Sequence, residues 1–412
     1  MVRMFRSENQ QANRAMTQDF SFDWAIAPET PETFLSEHFE KKPLLVKRGA
    51  PDYFADLLSV DEIDRVVSTM GLTHPAINVT KSGGSITPDD FAYDSGHVDP
   101  VRVAQLFADG ATVILSGLHD RLPQLARYCR AMESVMSARV QTNIYMTPPG
   151  NQGFNPHFDS HDVLVLQVSG AKEWRIYGTP VELPLTDQPF ERGSDVGPET
   201  MRFLLEPGDT LYLPRGVAHD AVATDETSLH ITTGLMFRTW ADVLAEAVIS
   251  TAHTNPALRH ALPPGFANHG YDLGAHDATF AALVDILADA PVGKLLAGFR
   301  EDFMTGRVPR VEGQLAQVAA LPGLTVDSRV GGRPHLIYSL ADLPATDLPA
   351  ADQVRLICQG AEIVMPDFAR DAIAFCLATP DFRLGDMQGD LDDAGKLVLA
   401  RRLVREGLMR VL

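Results

Sequence analysis

The sequence has little cysteine, little positive charge and no long apolar run. Its three cysteines, Cys129, Cys358 and Cys376, are widely spaced in 412 residues and form no C-x-x-C pair. A zinc ribbon and a disulfide scaffold are therefore excluded, and a reducing cytoplasm fits best. Lys and Arg number 35 against 54 Asp and Glu, for a formal net charge of −19. Neutralising phosphate or docking on an anionic membrane needs clustered Lys and Arg, so direct nucleic-acid binding and membrane association are not expected. No stretch approaches the roughly 18 apolar residues of a membrane-spanning helix. The first residues, from Met1 to Asp23, are polar with no apolar leader core, so no leader is expected. What is present is a globular composition, 45% hydrophobic and 22% charged. The length fits two or three domains of roughly 100–200 residues each.

Residues 1–20, rich in Gln, Asn, Ser and Arg, read as a disordered lead-in. Segments 33–40, 61–70, 100–108 and 121–137 carry apolar residues at helical spacing, with a short β-branched run at 111–115. From 140 to 238 the pattern changes. Short β-branched and aromatic runs at 142–146, 163–168, 174–177, 210–213 and 229–237 are separated by Gly, Pro and Asp turns, which predicts an all-β barrel or sandwich. Helical periodicity returns at 239–260 and 280–311, broken by Pro263, Pro264 and Gly265. Beyond 326, segments 352–360, 366–377 and 394–406 read as helices, with extended pieces at 333–338 and 407–412. The expected divisions are a lead-in at 1–20, a barrel domain over 21–238, a helical region at 239–326 and a small winged-helix-like domain at 327–412.

The stretch richest in chemistry runs Asn143-Ile-Tyr-Met-Thr-Pro-Pro-Gly and then Asn155-Pro-His157-Phe-Asp159. On a strand, a spacing of two puts His157 and Asp159 on one face. A His-x-Asp pair alone arises by chance in any acidic protein. It gains weight from Pro207-Gly208-Asp-Thr-Leu-Tyr-Leu-Pro214-Arg-Gly216-Val-Ala-His219, where a turn, a strand and a Pro-x-Gly corner deliver a second histidine. Two imidazoles and one carboxylate, with open positions, make the facial triad of non-haem Fe(II) oxygenases. The open positions hold a bidentate 2-oxo acid and O2. A zinc hydrolase uses the same residue types, so the discriminating feature is an anchor for the cosubstrate.

Lys172 is the candidate anchor. It follows Gly170 at a hairpin corner and opens the strand Lys172-Glu-Trp-Arg-Ile-Tyr. Alternation puts Lys172, Trp174 and Ile176 on the apolar inner face. An inward lysine is costly without an anion, and a 2-oxoglutarate carboxylate would supply one. The plainer alternative is a solvated corner lysine. Asn143 and Tyr145 share a strand face and are positioned to hydrogen-bond the cosubstrate or substrate, with core packing the alternative for Tyr145. His230 shares a face with Thr232 and Gly234, and reads equally as pocket lining or as a satisfied core histidine. His161 reads as a neighbour of the ligand set or a surface residue.

These segments, with Glu40-Lys-Lys-Pro-Leu-Leu-Val and Asp109-Gly-Ala-Thr-Val-Ile-Leu, resemble the JmjC-type ribosomal oxygenases, cupin-fold hydroxylases dependent on Fe(II) and 2-oxoglutarate. The resemblance covers roughly residues 20–240. It implies an α+β chain with a double-stranded β-helix (cupin/JmjC) catalytic domain, N-terminal helices, a helical dimerisation region and a C-terminal winged-helix-like domain. It implies that His157, Asp159 and His219 are the iron ligands and that Lys172 pairs with the distal carboxylate of 2-oxoglutarate. Asn143 falls at a cosubstrate-site position. Lys at the anchor resembles the eukaryotic-type histidine hydroxylases more than the bacterial arginine hydroxylase, which uses Arg. One departure stands out: Gly234 replaces a serine that helps hold the cosubstrate, with Thr232 on the same face as a substitute.

The expected function is hydroxylation of a histidyl or arginyl side chain of a ribosomal protein. The alternatives are hydroxylation of a peptide natural product or small metabolite, and a non-catalytic metal-binding regulatory module. A homodimer is expected from the stripe Trp240, Val243, Leu244, Ala247 and Val248. Residues 327–412 hold 13 Asp and Glu against 10 Lys and Arg, so Arg401, Arg402, Arg405 and Arg410 read as a solvated face, not a DNA contact. The net acidity gives the enzyme a field that steers a basic protein substrate.

Overall fold

The computed structural model describes residues 20–191, 193–343 and 353–412. Residues 1–19 of the expected lead-in lie outside it. Phe20 is buried against Trp24, their rings 5.2 Å apart. The chain divides into two compact units on either side of the 237/238 bond.

Among its described residues the first unit contains ten strands: β1 (Leu44–Val46), β2 (Ile77–Thr80), β3 (Thr112–Ser116), β4 (Arg139–Thr147), β5 (Asp162–Ser169), β6 (Lys172–Ile176), β7 (Met201–Leu205), β8 (Thr210–Leu213), β9 (His219–Ala223) and β10 (Ser228–Met236). They form a seven-stranded sheet, ordered β1-β8-β5-β10-β4-β3-β2, and a three-stranded sheet, β7-β6-β9. Every pairing is antiparallel. Two sheets of this kind, joined by crossing connections, fit the barrel or sandwich that the strand pattern predicts and the double-stranded β-helix that the resemblance implies.

β5 shows why the core sits where it does. Its burial is nearly continuous, because both faces are covered. Val163 and Val165 pack with Trp174, Ile176, Leu211 and Leu213 between the sheets. Leu164, Leu166 and Val168 face the opposite way, into the cluster with Tyr128, Met132 and Phe34. The helix Pro123–Met136 supplies part of that cover, with Leu125, Tyr128, Cys129 and Met132 buried. Its N-terminal Pro123 suits a first helical turn, and Ser137 ends it in a left-handed conformation.

In the second unit, the helix Trp240–Thr254 starts with a capping box between Thr239 and Asp242. Its Val243 and Ala247 pack against Leu295 of the helix Val292–Gly306. The expected helical run at 280–311 is two helices, Asp277–Ala288 and Val292–Gly306. Pro291 intervenes, since a proline inside a helix removes a hydrogen bond and clashes with the preceding turn.

The expected helix over 352–360 is overturned. Gln353–Cys358 is a strand between Tyr338–Asp342 and Ala361–Pro366 in a three-stranded antiparallel sheet. Its Val, Leu and Ile content suits a central strand, and pairing on both edges outweighs the weak helical periodicity. The segment 366–377 becomes helical only at Arg370, after a 3-10 turn. The helix Asp393–Arg405 and the strand Met409–Val411 lie where extended and helical patterns place them. Met409–Val411 pairs with Arg329–Gly332, which also pairs with Phe382–Arg383.

Candidate metal and cosubstrate site

Backbone pairing assembles the triad. His157 lies just outside the sheets and forms a reciprocal bridge with His219, N to O at 3.1 and 2.8 Å. His219 opens β9, opposite Ile176 of β6. The two metal-ligand segments are tied a second time by the Gly216 amide, which donates to the Asp159 carbonyl at 3.0 Å. Gly216 has φ +87°, and a Cβ there would stand 2.0 Å from the Val181 carbonyl oxygen. Only glycine makes this corner.

His157, Asp159 and His219 each bring a ligand atom to within 4.8 Å of the others'. Asp159 Oδ2 lies 3.7 Å from His219 Nε2. His157 Nδ1 is 2.9 Å from the Asn155 carbonyl oxygen, and His219 Nδ1 is 3.0 Å from that of Val217. A carbonyl only accepts, so each Nδ1 carries the proton and each Nε2 lone pair is left for a metal. Burial holds the His219 pKa below its usual value, and His157 adds to that effect. Both influences favour the neutral imidazole that a metal requires. Two neutral imidazoles and one carboxylate fit a divalent first-row ion with open positions.

The cavity beside this triad is lined by Tyr145, Lys172, Trp174, His230 and Thr232. Trp174 stacks along His219, ring centroids 5.7 Å apart. Lys172 is 3% exposed. Its Nζ donates to Thr147 Oγ1 at 3.0 Å, and Thr112 Oγ1 in turn donates to Thr147 at 3.1 Å. Burial lowers the Lys172 pKa from 10.5 to about 7. The solvated-corner alternative is thus removed by geometry: the side chain points inward. Gly170 makes that possible, since with φ +57° a Cβ there would stand 2.1 Å from the Thr227 carbonyl oxygen. Burial, with Asp159 nearby, holds the Tyr145 phenol well above its ordinary pKa, so it is neutral.

The site residues expected from sequence do not all converge. His157, Asp159, His219, Lys172, Tyr145 and Thr232 line one cavity. Asn143 shares the strand face of Tyr145 but is not among the lining residues. Gly234 lies against His161, where a Cβ would meet the ring at 3.3 Å. Sequence reasoning missed Thr147, although it continues the Asn143–Tyr145 alternation. It also missed Phe154, whose ring is 5.5 Å from that of His157, and Asp220. Asp220 is opposite Arg175 in register and accepts its Nε at 2.8 Å. A cross-strand partner of this kind has no spacing signal.

Residues 118–243 match the JmjC domain family. The chain is 30% identical over 394 residues to the bifunctional lysine-specific demethylase and histidyl-hydroxylase NO66 of Drosophila persimilis, covering 87% of this chain and 54% of that protein. It is 32% identical over 231 residues to ribosomal oxygenase 1 of Gallus gallus, covering 54% and 38% respectively. The chain spans about half the length, or less, of these relatives. Among solved structures it is similar to E. coli YcfD, with a TM-score of 0.56 at 18% identity, covering 93% of this chain and 98% of that one. A second YcfD structure, titled a ribosomal oxygenase in complex with cobalt and 2-oxoglutarate, gives a TM-score of 0.53 at 16% identity over the same shares. Residues 118–243 therefore match a JmjC domain, and the chain is similar in sequence to the ribosomal oxygenases and in fold to YcfD.

Proposed function

We propose that this chain is an Fe(II)- and 2-oxoglutarate-dependent dioxygenase that hydroxylates a histidyl or arginyl side chain of a ribosomal protein. The observation that carries the reading is one cavity with a His157–Asp159–His219 donor set and the buried, inward Lys172. A hydrolytic metal site has no need of such a lysine. The names of the relatives, ribosomal oxygenase and histidyl-hydroxylase, support the substrate class.

Bound Fe(II) would supply O2 activation coupled to oxidative decarboxylation of 2-oxoglutarate, giving succinate, CO2 and a hydroxylated substrate. His157, Asp159 and His219 would hold the ion from one side. Lys172, positioned by Thr147, would pair with the distal carboxylate. Tyr145, a neutral donor, and Thr232 would hydrogen-bond the same cosubstrate, and Asn143, the cross-strand partner of Thr232, would serve the cosubstrate as well. Trp174 and the valines 163 and 165 wall the cavity and exclude water.

The reading includes a catalytic domain over 21–238, a dimerisation region over 239–326 and a winged-helix-like domain over 327–412. Trp240, Leu244 and Phe280 are 65–70% exposed, and this apolar surface supports a homodimer. Arg329, Arg383 and Arg402 are paired with Asp381, Asp386 and Glu406, which supports a region without direct nucleic-acid contact. Among the described residues no helix is long and apolar enough to cross a membrane. The three cysteines are free, buried thiols, in keeping with the reducing cytoplasm that the reading assigns. The net charge of −19 favours capture of a basic substrate.

The test is intact-mass analysis of ribosomal proteins from cells with and without the gene. A gain of one oxygen present only with the gene, and formed in vitro with equivalent succinate, is the expected result. Unchanged masses alongside intact 2-oxoglutarate turnover would turn the reading to a small-molecule substrate.

A further inference from the structure

Beside Lys172 the cavity is lined by a buried imidazole whose Nδ1 has no hydrogen-bond partner. His230 sits on β10 and is 4% exposed. Its ring lies parallel to that of Tyr145, centroids 5.0 Å apart and planes 10° apart, and edge-on to Trp174 at 6.0 Å. These two rings fix its orientation. Its Nδ1 is buried without a hydrogen-bond partner, whereas each triad histidine has Nδ1 on a carbonyl. Buried polar atoms are ordinarily satisfied, and one left open at a cavity wall points to a ligand.

We propose that His230 is a second binding residue for the anionic cosubstrate, hydrogen-bonding the carboxylate that Lys172 pairs with. This rests on the 2-oxoglutarate reading and deepens it. Burial, and then the nearby Lys172 charge, hold the His230 pKa well below its usual value. The cavity without an anion therefore keeps His230 neutral and Lys172 only partly charged near neutral pH. An arriving carboxylate reverses both effects, since an opposite charge favours the protonated forms. Binding then takes up protons. The other titratable groups facing this space are Tyr145 from β4, His219 and Asp220 from β9, and His157 and Asp159 from the preceding loop. β5 contributes only Val163 and Val165.

The experiment is isothermal titration of 2-oxoglutarate into the Mn(II)-loaded full chain at pH 6.5 and 8.5, each in two buffers of different ionisation enthalpy. Wild type, His230→Gln and His230→Phe are compared, with thermal melts to establish folding. Wild type is expected to take up protons and to bind more weakly at pH 8.5. His230→Phe is expected to weaken binding about tenfold at pH 6.5. His230→Gln, which keeps a donor, is expected to recover part of the affinity and to take up fewer protons. Folded variants with wild-type affinity and proton uptake would overturn the assignment of His230 alone. Wild type that fails to bind 2-oxoglutarate at all would overturn the cosubstrate reading and this inference with it.

Discussion

At one end of the cavity, His157 and His219 each rest Nδ1 on a backbone carbonyl and lie in a reciprocal backbone bridge. At the other end, Lys172 has one hydroxyl partner and His230 Nδ1 has none. The metal end is held in place by the main chain before any ligand arrives. The carboxylate end carries buried polar groups that are incompletely satisfied. On the proposed reading, fold stability and ligand affinity are thus separated in space: the first end is ordered by backbone pairing, and the second is where the anion would bind.

The largest way to break this contrast is at the metal end. His219→Ala or His157→Ala is expected to weaken Mn(II) or Co(II) binding by more than about a hundredfold, because a ligand costs at least what its supporting groups cost. Metal titration and succinate formation would measure it, and retained turnover would refute the triad.

Next comes the pair behind the triad. Asp220 is buried, and Arg175 is its guanidinium partner. Arg175→Ala leaves that carboxylate uncompensated and is expected to cost about 2 kcal/mol of stability, allowing for the partial exposure of Arg175. A chemical denaturation curve reads this directly. No change would mean that water replaces the guanidinium.

The carboxylate end gives a pH signature. Lys172 loses its proton near pH 7 in the folded protein and near 10.5 in the unfolded chain. Between those values the unfolded chain binds the extra proton, so stability rises with pH. The contribution is at most about 1.4 kcal/mol per pH unit. Lys172→Met is expected to remove that slope and to stabilise the ligand-free protein near pH 7. It is also expected to raise the 2-oxoglutarate requirement while metal affinity stays unchanged. A slope that persists in the variant would place the titrating group elsewhere.

The smallest effect on the fold is expected in the second unit. Trp240→Glu replaces a side chain that is 69% exposed, so unfolding should shift by less than about 0.5 kcal/mol. Light scattering is expected to show loss of the dimer, with metal binding at the triad unaltered. An unchanged mass would refute the role of this helix face.

The legibility of the molecule follows the range of the interactions. The strand Thr210–Leu213 and the helix Pro100–Ala108 stand where the local pattern puts them, because period and turn residues are local properties. The inward turn of Lys172 was also local, since it follows from strand alternation and the Gly170 corner. The strands His219–Ala223 and Met201–Leu205 were missed, because they exist by pairing with β6. The strand Gln353–Cys358 was misread as helix for the same reason: two partners override a short ambiguous run.

By itself the sequence determined the donor types of the triad, the turn glycines and the alternation that points Lys172 inward. These depend on residue chemistry and on neighbours a few positions away. Only the tertiary structure decided that His157 and His219 share a backbone bridge across 62 residues and that Asp220 meets Arg175. It also decided the state of His230. One strand pattern served a packed core histidine and a cavity histidine equally well, and what separates them is the absence of a partner for Nδ1. That depends on which side chains reach the ring from other strands, and the spacing of residues along one strand does not contain it.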